Sequence, residues 1–470
     1  MNEKAILMFV LVFSRIAFAQ QNAMVPMVDE RTELLSAVFR FAGADEYINN
    51  RLKSYTNELD SSFKAFKNSE VVQIAKQLRK KDGVSFDAVM SLAIHLEITD
   101  KISLKNNIKE ESIDKRWNRK DIENFIVQLN RFYYQSKFHD FFIAHEELYN
   151  QAQKNFEEIL RDVDFYWFPD FFGKSQNSNF NLVLSMLNGG SNYGPKIRYN
   201  DGSEDLYAII GTWHLDSLGQ PAYSKSTIQL IIHEFNHSFC NPLIDKNFKT
   251  MEQNAIGFYK AESEILKEQA YGNARTMSYE ILVRACVIKY YQQKNTPELK
   301  VRKLILDEKS RGFLWIEELV ELLNDYIQNR HKYKALDDFM PEIVKLQNSL
   351  NPDEIKKNWQ DSCVRVVSCN IENNSENVNP DNKAIILRFS RPMYEGMYGT
   401  SIGKRGEKYF PEFPENEKAG WTDSTRMEWK FPVILKPDRE YSISFPAQFF
   451  RSENIYPMVE TFYLDFRTAK

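Results

Sequence analysis

The order of apolar and polar residues divides the chain into a long helical part and a shorter β-rich part. Residues 28–160 repeat apolar side chains every three or four positions, for example in Leu34–Phe41, and this spacing predicts a series of amphipathic helices. Residues 165–213 begin with an aromatic cluster, continue through turn residues and end with the β-rich run Leu206–Trp213. This second stretch therefore predicts a small sheet.

Further helices are predicted after the sheet. Ile228 and Ile232 belong to an apolar stripe on one face of the first of them, and we expect Pro242 to end it. Residues 244–275 are polar with little periodicity, which indicates a lid or an irregular insertion. A strong helical pattern returns at Met277–Tyr291.

The last part of the chain alternates apolar and polar side chains and carries many turn residues, which is typical of a β-sandwich. Ala384–Phe389, Met427–Phe431 and Tyr441–Phe445 are predicted strands. The fold class predicted for the whole chain is therefore α+β, with a mostly helical domain and a small sheet preceding the sandwich.

The first residues have the features of a secretory signal peptide. Lys4 supplies a positive start, Ala5–Phe13 forms a short apolar core, and Ala17-Phe18-Ala19 is a small-residue cleavage site. The apolar core is too short to span a bilayer, and no later segment is apolar over a sufficient length. We expect residues 1–19 to be removed and the protein to be exported to the periplasm or beyond the cell.

Composition and charge argue against several functional classes. The 470 residues carry a formal net charge of −4, and the loss of residues 1–19 makes it −5, with both signs interspersed. This distribution favours neither nucleic acid nor an anionic membrane as a partner. The four cysteines are too few for a disulfide framework, so we expect ordinary buried thiols.

Residues 233–237 read His-Glu-Phe-Asn-His, an HExxH motif. Positions i and i+4 share one face of a helix, so His233 and His237 can offer imidazole nitrogens to one Zn²⁺. Glu234 lies next to the first histidine, where it can act as general base toward a zinc-activated water. The motif predicts a catalytic zinc centre, with a chance match or a metal-free relic as the competing explanation.

A catalytic zinc site needs a third protein ligand and an open position. No metzincin-type histidine follows His237, which leaves a downstream carboxylate, the gluzincin arrangement. The candidates are Glu252, Glu262, Glu264, Glu268 and Glu280. Glu280 is preferred over Glu262 and Glu264 because it lies in a strongly apolar helix, where an unpaired charge is costly. Arg284, at i+4, is either its ordinary ion-pair partner or a group that orients it as a ligand.

Five segments carry a resemblance to a known family: LLSAVFRFAGADEY, FDAVMSLAIHL, HEFNHSFCNPL, SYEILVRACVIKYY and LDDFMPEIV. Over residues 28–350 the chain resembles the bacterial domain-of-unknown-function 4932 family of predicted gluzincin-type zinc peptidases. The resemblance implies a zincin-like metallopeptidase domain, with His233, His237 and Glu280 as zinc ligands and Glu234 as the base. It implies no particular substrate.

A second resemblance covers residues 364–470. The segments IILRFSRPM and LKPDREYSISF and the closing Phe466-Arg467-Thr468 are similar to those of a bacterial Ig-like domain. The resemblance implies a spacer or adhesion module that contacts a cell surface and has no chemistry of its own.

These observations predict an exported zinc-dependent metallopeptidase that hydrolyses a peptide or protein substrate. A strand before the zinc helix supports this prediction, because a sheet edge can pair with an extended peptide. Tyr271, Tyr279 and His214 are candidates for the donor that stabilises the oxyanion, and the sequence leaves the choice among them open. Two alternative functions also stay open: an exported, non-catalytic protein that binds a peptide or glycan, and a zinc hydrolase of a non-protein amide.

Overall fold

The computed structural model describes residues 24–173 and 178–470, so the predicted signal peptide at residues 1–19 lies outside the described part. The fold is α+β, as the sequence predicts, with most helices before the β-rich C-terminal region. The chain divides into two compact units. The first comprises residues up to Leu243 with Lys334–Asp337, and the second comprises Ile244–Tyr333 with Asp338–Lys470.

The first unit is mainly helical and contains one three-stranded sheet. Its helices are α1 (Glu30–Phe41), α2 (Asp45–Ile48), α3 (Lys53–Ser62), α4 (Glu70–Asp82), α5 (Asp87–His95), α6 (Arg119–Ser136), α7 (Phe138–Ala144), α8 (Glu146–Leu160), α9 (Trp167–Phe172) and the start of α10 (Thr227–Ala261). Its strands are β1 (Leu96–Ile98), β2 (Ile102–Leu104), β3 (Ser178–Ser185), β4 (Lys196–Arg198) and β5 (Glu204–Gly211). The sheet order is β3-β5-β4, with β3 parallel and β4 antiparallel to β5.

The apolar face of α10 packs on the aromatic cluster that the sequence places before the sheet. Phe239 of α10 stacks on Phe172 of α9 with ring centroids 4.4 Å apart. Phe235 meets Phe168 at 5.7 Å in an edge-to-face arrangement. These contacts bury one side of the helix, whereas His233 and His237 lie on another side and are half-buried.

The prediction that Pro242 ends this helix is wrong, because α10 continues through it to Ala261. A proline inside a helix has no N–H to donate to the carbonyl four residues earlier, which here belongs to Ser238. Lys196 Nζ donates to that carbonyl oxygen at 2.8 Å. The side chain thus supplies the missing hydrogen bond, and residues 244–261 form regular helix instead of a lid or irregular insertion.

The second unit contains the remaining helices and the C-terminal strands. Its helices are the rest of α10, α11 (Ser263–Glu268), α12 (Ala274–Gln293), α13 (Glu298–Ser310), α14 (Ile316–Gln328), most of α15 (Leu336–Ser349) and α16 (Pro352–Ser362). The Asn273 side chain caps α12 by accepting a hydrogen bond from the Thr276 backbone N–H. Almost every residue of α12 from Met277 to Tyr290 is buried, which agrees with the apolar pattern of this segment.

The C-terminal strands form two four-stranded sheets that share one apolar core. The strands are β6 (Val366–Cys369), β7 (Ser375–Val378), β8 (Ala384–Phe389), β9 (Ser401–Ile402), β10 (Gly420–Trp421), β11 (Glu428–Pro432), β12 (Glu440–Phe445) and β13 (Phe462–Thr468). The sheet orders are β10-β11-β8-β6 and β7-β13-β12-β9, so the predicted β-sandwich is present. The predicted domain limits, 28–350 and 364–470, stay a prediction.

Two smaller expectations concern the cysteines and the membrane. Cys240, Cys286 and Cys363 are buried, and Cys369 is half-buried. Within residues 24–173 and 178–470, no helix is both long enough and apolar enough to cross a bilayer.

Candidate metal centre

The two histidines of the HExxH motif face each other on successive turns of α10. His233 Nε2 and His237 Nε2 are 3.1 Å apart. Two ligands on one tetrahedral Zn²⁺, each about 2.05 Å from the metal, would lie about 3.3 Å apart. The spacing of the two nitrogens therefore fits a shared zinc ion.

Asn241 forms a hydrogen bond with the second histidine of the motif. His237 Nδ1 lies 3.1 Å from Asn241 Oδ1, one helical turn further along α10. An amide oxygen accepts and does not donate, so Nδ1 is the donor of this hydrogen bond, and in the neutral ring the lone pair for a metal is then on Nε2. Sequence reasoning missed this residue, although its spacing of four from His237 was a usable signal.

Glu234 is almost completely buried, with 5% of its surface exposed. Its backbone lies against Gly194, in the Gly-rich turn that follows β3. A Cβ atom added at Gly194 would come within 2.0 Å of the Glu234 carbonyl oxygen, so only glycine permits this approach. The turn therefore supports the HExxH helix by close backbone packing.

Glu280 lies in the middle of α12 and is 6% exposed. Its Oε2 atom accepts hydrogen bonds from Tyr271 Oη at 3.2 Å and from Arg284 Nη2 at 3.0 Å. Arg284 Nη1 also donates to Glu308 Oε2 at 2.7 Å. The ion pair expected between Glu280 and Arg284 is present, and Glu308 is a second carboxylate on the same guanidinium that sequence reasoning did not detect.

The pKa values of this cluster follow from its burial and its charges. Burial by itself would lower the pKa of Arg284, but the carboxylates of Glu308 and Glu280 outweigh that effect and raise it. Burial and then the negative charge of Glu280 raise the pKa of Tyr271 well above its usual range. Arg284 therefore stays charged at neutral pH, and Tyr271 stays a protonated donor.

His233, His237 and Glu280 form a group whose ligand atoms all lie within 4.8 Å of one another. Two imidazoles and one carboxylate are a donor set typical of catalytic zinc. The alternative acids lie elsewhere: Glu262 forms an ion pair with Lys356 at 3.4 Å, and burial raises its pKa. Glu264 is exposed, as are Glu252 and Glu268.

The three candidates for an oxyanion donor have different surroundings. Tyr271 contacts Glu280 directly through its hydroxyl. Tyr279 donates its hydroxyl to Asp245. His214 is exposed and its ring lies on that of Trp213, with centroids 3.8 Å apart. Of the three, Tyr271 is the one that makes a hydrogen bond to a residue of the candidate metal group.

Comparisons with known proteins identify the family of this chain but no activity or substrate. The family described as Domain of unknown function (DUF4932) matches residues 22–346. No curated protein matches the sequence. Two solved structures of a surface layer protein are similar only at a level too low to support a shared fold. For domains 1–6 of SbsC the identity is 10% and the TM-score 0.18, with 52% of this chain and 33% of that chain covered.

For the second structure, of the S-layer protein rSbsC, the identity is 9% and the TM-score is again 0.18. The match covers 85% of this chain and 46% of that chain, so this chain spans less than half the length of either structure. The family match, in contrast, covers more than two thirds of the sequence and includes the whole candidate metal group. The chain therefore belongs to the DUF4932 family.

Proposed function

We propose that this protein is an exported zinc-dependent peptidase of the gluzincin type. The observation that carries the proposal is the group formed by His233, His237 and Glu280, whose ligand atoms lie within 4.8 Å of one another. Two imidazoles from an HExxH helix and a carboxylate from a second helix are the ligands that this class of hydrolase uses. Residues 1–19 have the features of a secretory signal, which supports export.

The residues of the site suit hydrolysis of an amide bond. A zinc ion held by His233, His237 and Glu280 would polarise the scissile carbonyl and lower the pKa of water. Glu234 would accept the proton of the attacking water and pass it to the leaving amine. Tyr271, an O–H donor that contacts Glu280, is our candidate for stabilising the oxyanion.

The hydrogen bonds of the site agree with these roles. Asn241 Oδ1 accepts from Nδ1 of His237, which leaves Nε2 as the nitrogen that the neutral ring would offer to a metal. Arg284 neutralises part of the charge of Glu280 and, because it donates to Oε2, restricts rotation of the carboxylate. A peptide is the substrate class we favour, because an HExxH helix with a glutamate as general base is the arrangement that zinc peptidases use. The strand that precedes this helix, β5, lies between β3 and β4, so it is not a sheet edge that could pair with an extended chain.

The first test is the metal content of the purified chain without residues 1–19, measured by inductively coupled plasma mass spectrometry. We expect one zinc per chain, lost in Glu280→Ala and kept in Glu264→Ala, which removes an exposed carboxylate from the same part of the chain. Retention of zinc in Glu280→Ala would show that another residue is the third ligand. An absence of metal after reconstitution would contradict the proposal and favour a non-catalytic binding protein.

The second test separates metal binding from catalysis. Glu234→Gln removes the base but none of the three proposed ligands, so we expect it to keep zinc and lose at least about 100-fold in kcat. A library of unmodified peptides, assayed beside amide substrates that are not peptides, identifies the substrate class. Cleavage of the second set alone would support the alternative of a zinc hydrolase for a non-protein amide.

A further inference from the structure

We propose that the C-terminal β-sandwich positions the third ligand of the metal centre through a chain of ion pairs that runs from Arg451 to Glu280. This inference rests on the proposed function for its meaning. It changes the role of the sandwich from the spacer or adhesion module that its resemblance implies to a structural support of the site.

The inner link joins Glu280 to α13. Arg284 donates through Nη2 to Glu280 at 3.0 Å and through Nη1 to Glu308 at 2.7 Å. The guanidinium is planar and rigid, so a carboxylate that holds one Nη group also determines where the other points. The ring of Phe313, 4.5 Å from the guanidinium carbon, covers one side of the group. Glu308 is therefore a positioning residue for Glu280, acting through Arg284.

The outer link joins α13 to the sandwich. Asp307, the neighbour of Glu308, forms an ion pair with Arg451, which is 1% exposed. Successive residues on a helix point about 100° apart, so α13 can turn Glu308 toward Arg284 while Asp307 faces the sandwich. Arg302, on the same helix, donates to Tyr456 Oη at 2.8 Å. Two residues of α13 thus bind two residues of one turn in the sandwich.

That turn, Arg451–Pro457, contains a strained residue. Ile455 has φ of 57°, which a β-branched side chain rarely adopts, and it is 1% exposed. Its carbonyl oxygen accepts a hydrogen bond from Arg451 Nη1 at 2.9 Å. Strain of this kind persists only where the surrounding structure imposes it. Here the backbone conformation of Ile455 places its carbonyl oxygen where it accepts from Arg451. That hydrogen bond holds the guanidinium of Arg451 in position to pair with Asp307.

Conservative variants test each link in the full-length mature chain. Glu308→Gln breaks the inner link to Arg284, and Asp307→Asn breaks the outer link to Arg451. Asp307→Glu keeps a carboxylate at position 307 and should preserve the outer link. Tyr456→Phe removes only the hydroxyl bound to Arg302. Its matched control is Tyr441→Phe, which removes a 2.7 Å hydrogen bond from the Lys436 backbone N–H within the sandwich and leaves α13 unaltered.

Zinc affinity and the visible spectrum of the Co²⁺-substituted protein are the readouts. We expect Glu308→Gln to weaken zinc binding about 10- to 100-fold, as the loss of a residue that orients a ligand usually does. Asp307→Asn should weaken it about 3- to 10-fold and Tyr456→Phe by less, both with an altered Co²⁺ spectrum. Tyr441→Phe and Asp307→Glu should match the wild type. Equal effects of Asp307→Asn and Tyr441→Phe would overturn the proposal.

Hydrogen exchange of residues 274–293 in the metal-free protein provides a readout that does not depend on zinc. We expect faster exchange in Asp307→Asn and Glu308→Gln, with Tyr441→Phe unchanged. If the wild type binds no metal, the proposed function fails, and this measurement alone decides whether the sandwich orders the Glu280 helix. Unaltered exchange in both link variants would overturn the inference whether or not the protein binds zinc.

Discussion

Lys196 donates a hydrogen bond from Nζ to the carbonyl oxygen of Ser238, the helical acceptor that Pro242 cannot serve. The lysine also pairs with Glu204 at 3.0 Å, so its charge is balanced within the same sheet. A residue of β4 thus completes the backbone hydrogen bonding of the HExxH helix one residue beyond His237. This contact allows α10 to continue past a proline instead of ending there.

The Lys196–Ser238 contact predicts energetic coupling between Lys196 and Pro242. Lys196→Met should lower the free energy of unfolding by about 1–3 kcal/mol, because it leaves a buried carbonyl without a partner. The loss should be smaller by about 1 kcal/mol or more in a Pro242→Ala background, where the new N–H reaches Ser238. Urea unfolding of the wild type, the two single variants and the double variant measures this double-mutant cycle. The Glu204 ion pair is lost in both backgrounds, so equal losses would contradict the coupling.

Because Gly194 packs closely on Glu234, we predict that a single methyl group added at position 194 disrupts the candidate metal centre. Gly194→Ala would bring Cβ to 2.0 Å from a backbone oxygen, which cannot rotate away. We expect the free energy of unfolding to fall by about 2–4 kcal/mol and zinc to bind more weakly. Gly190→Ala is the control, since no atom lies within 4 Å of a Cβ at that position. Similar behaviour of the two variants in thermal melts and zinc titrations would exclude a special role for Gly194.

The hydrogen bond between His237 and Asn241 predicts a change in metal affinity without loss of a ligand. Asn241→Ala leaves Nδ1 of His237 without its acceptor, so the imidazole can rotate or change tautomer. We expect zinc to bind about 10-fold more weakly, as measured by competition with a chromogenic chelator. Asn241→Asp keeps an acceptor at the same position and should retain most of the affinity. A loss of affinity in Asn241→Asp as large as in Asn241→Ala would show that the acceptor is not what matters.

Glu33, fully buried in the first unit, predicts a pH dependence of stability. Burial raises its pKa to about 7, although Ser185, the Met186 N–H and Tyr55 bind the carboxylate. A raised pKa means that the folded state holds the proton more tightly than the unfolded chain does. The contribution of this proton binding by Glu33 to the free energy of unfolding is therefore fully present below about pH 4.5. It decreases as the pH rises toward about 7, by up to about 3 kcal/mol.

Chemical denaturation of the wild type and Glu33→Gln between pH 4.5 and 8 measures this contribution. We expect the free energy of unfolding of the wild type to fall with pH relative to that of the variant, and the difference to level off above about pH 7. Glutamine keeps an oxygen for Ser185 and Met186 and cannot ionise. Parallel pH profiles for the two proteins would show that Glu33 does not change its protonation on folding.

The local sequence was sufficient to predict structure wherever that structure depends on the spacing of residues within one helix or strand. The helical repeat around Ile228 and Ile232 and the i, i+4 spacing of His233 and His237 follow from 3.6 residues per turn, whatever the rest of the chain does. Strand β8 coincides with the predicted Ala384–Phe389, because alternation in a sandwich strand is also local. For the same reason, the apolar pattern around Glu280 was enough to single it out among five glutamates.

The predicted end of the HExxH helix was wrong because a residue distant in sequence compensates for the effect of the proline. Pro242 ends a helix by every local criterion, but Lys196, 42 residues before Ser238, supplies the hydrogen bond that the proline removes. No pattern in the sequence links these positions. The residues after Pro242 were then interpreted as an irregular insertion, although α10 continues to Ala261.

The sequence by itself determined the fold class, the HExxH histidines and the preference for Glu280, because each depends on residue type and periodicity within one element. Only the tertiary structure decided which groups surround them. Glu308 contacts Arg284 between two neighbouring helices, Arg451 contacts Asp307 from 144 residues further along the chain, and Gly194 contacts Glu234 through backbone packing. Such contacts depend on how elements pack in three dimensions, which spacing along a single chain does not encode.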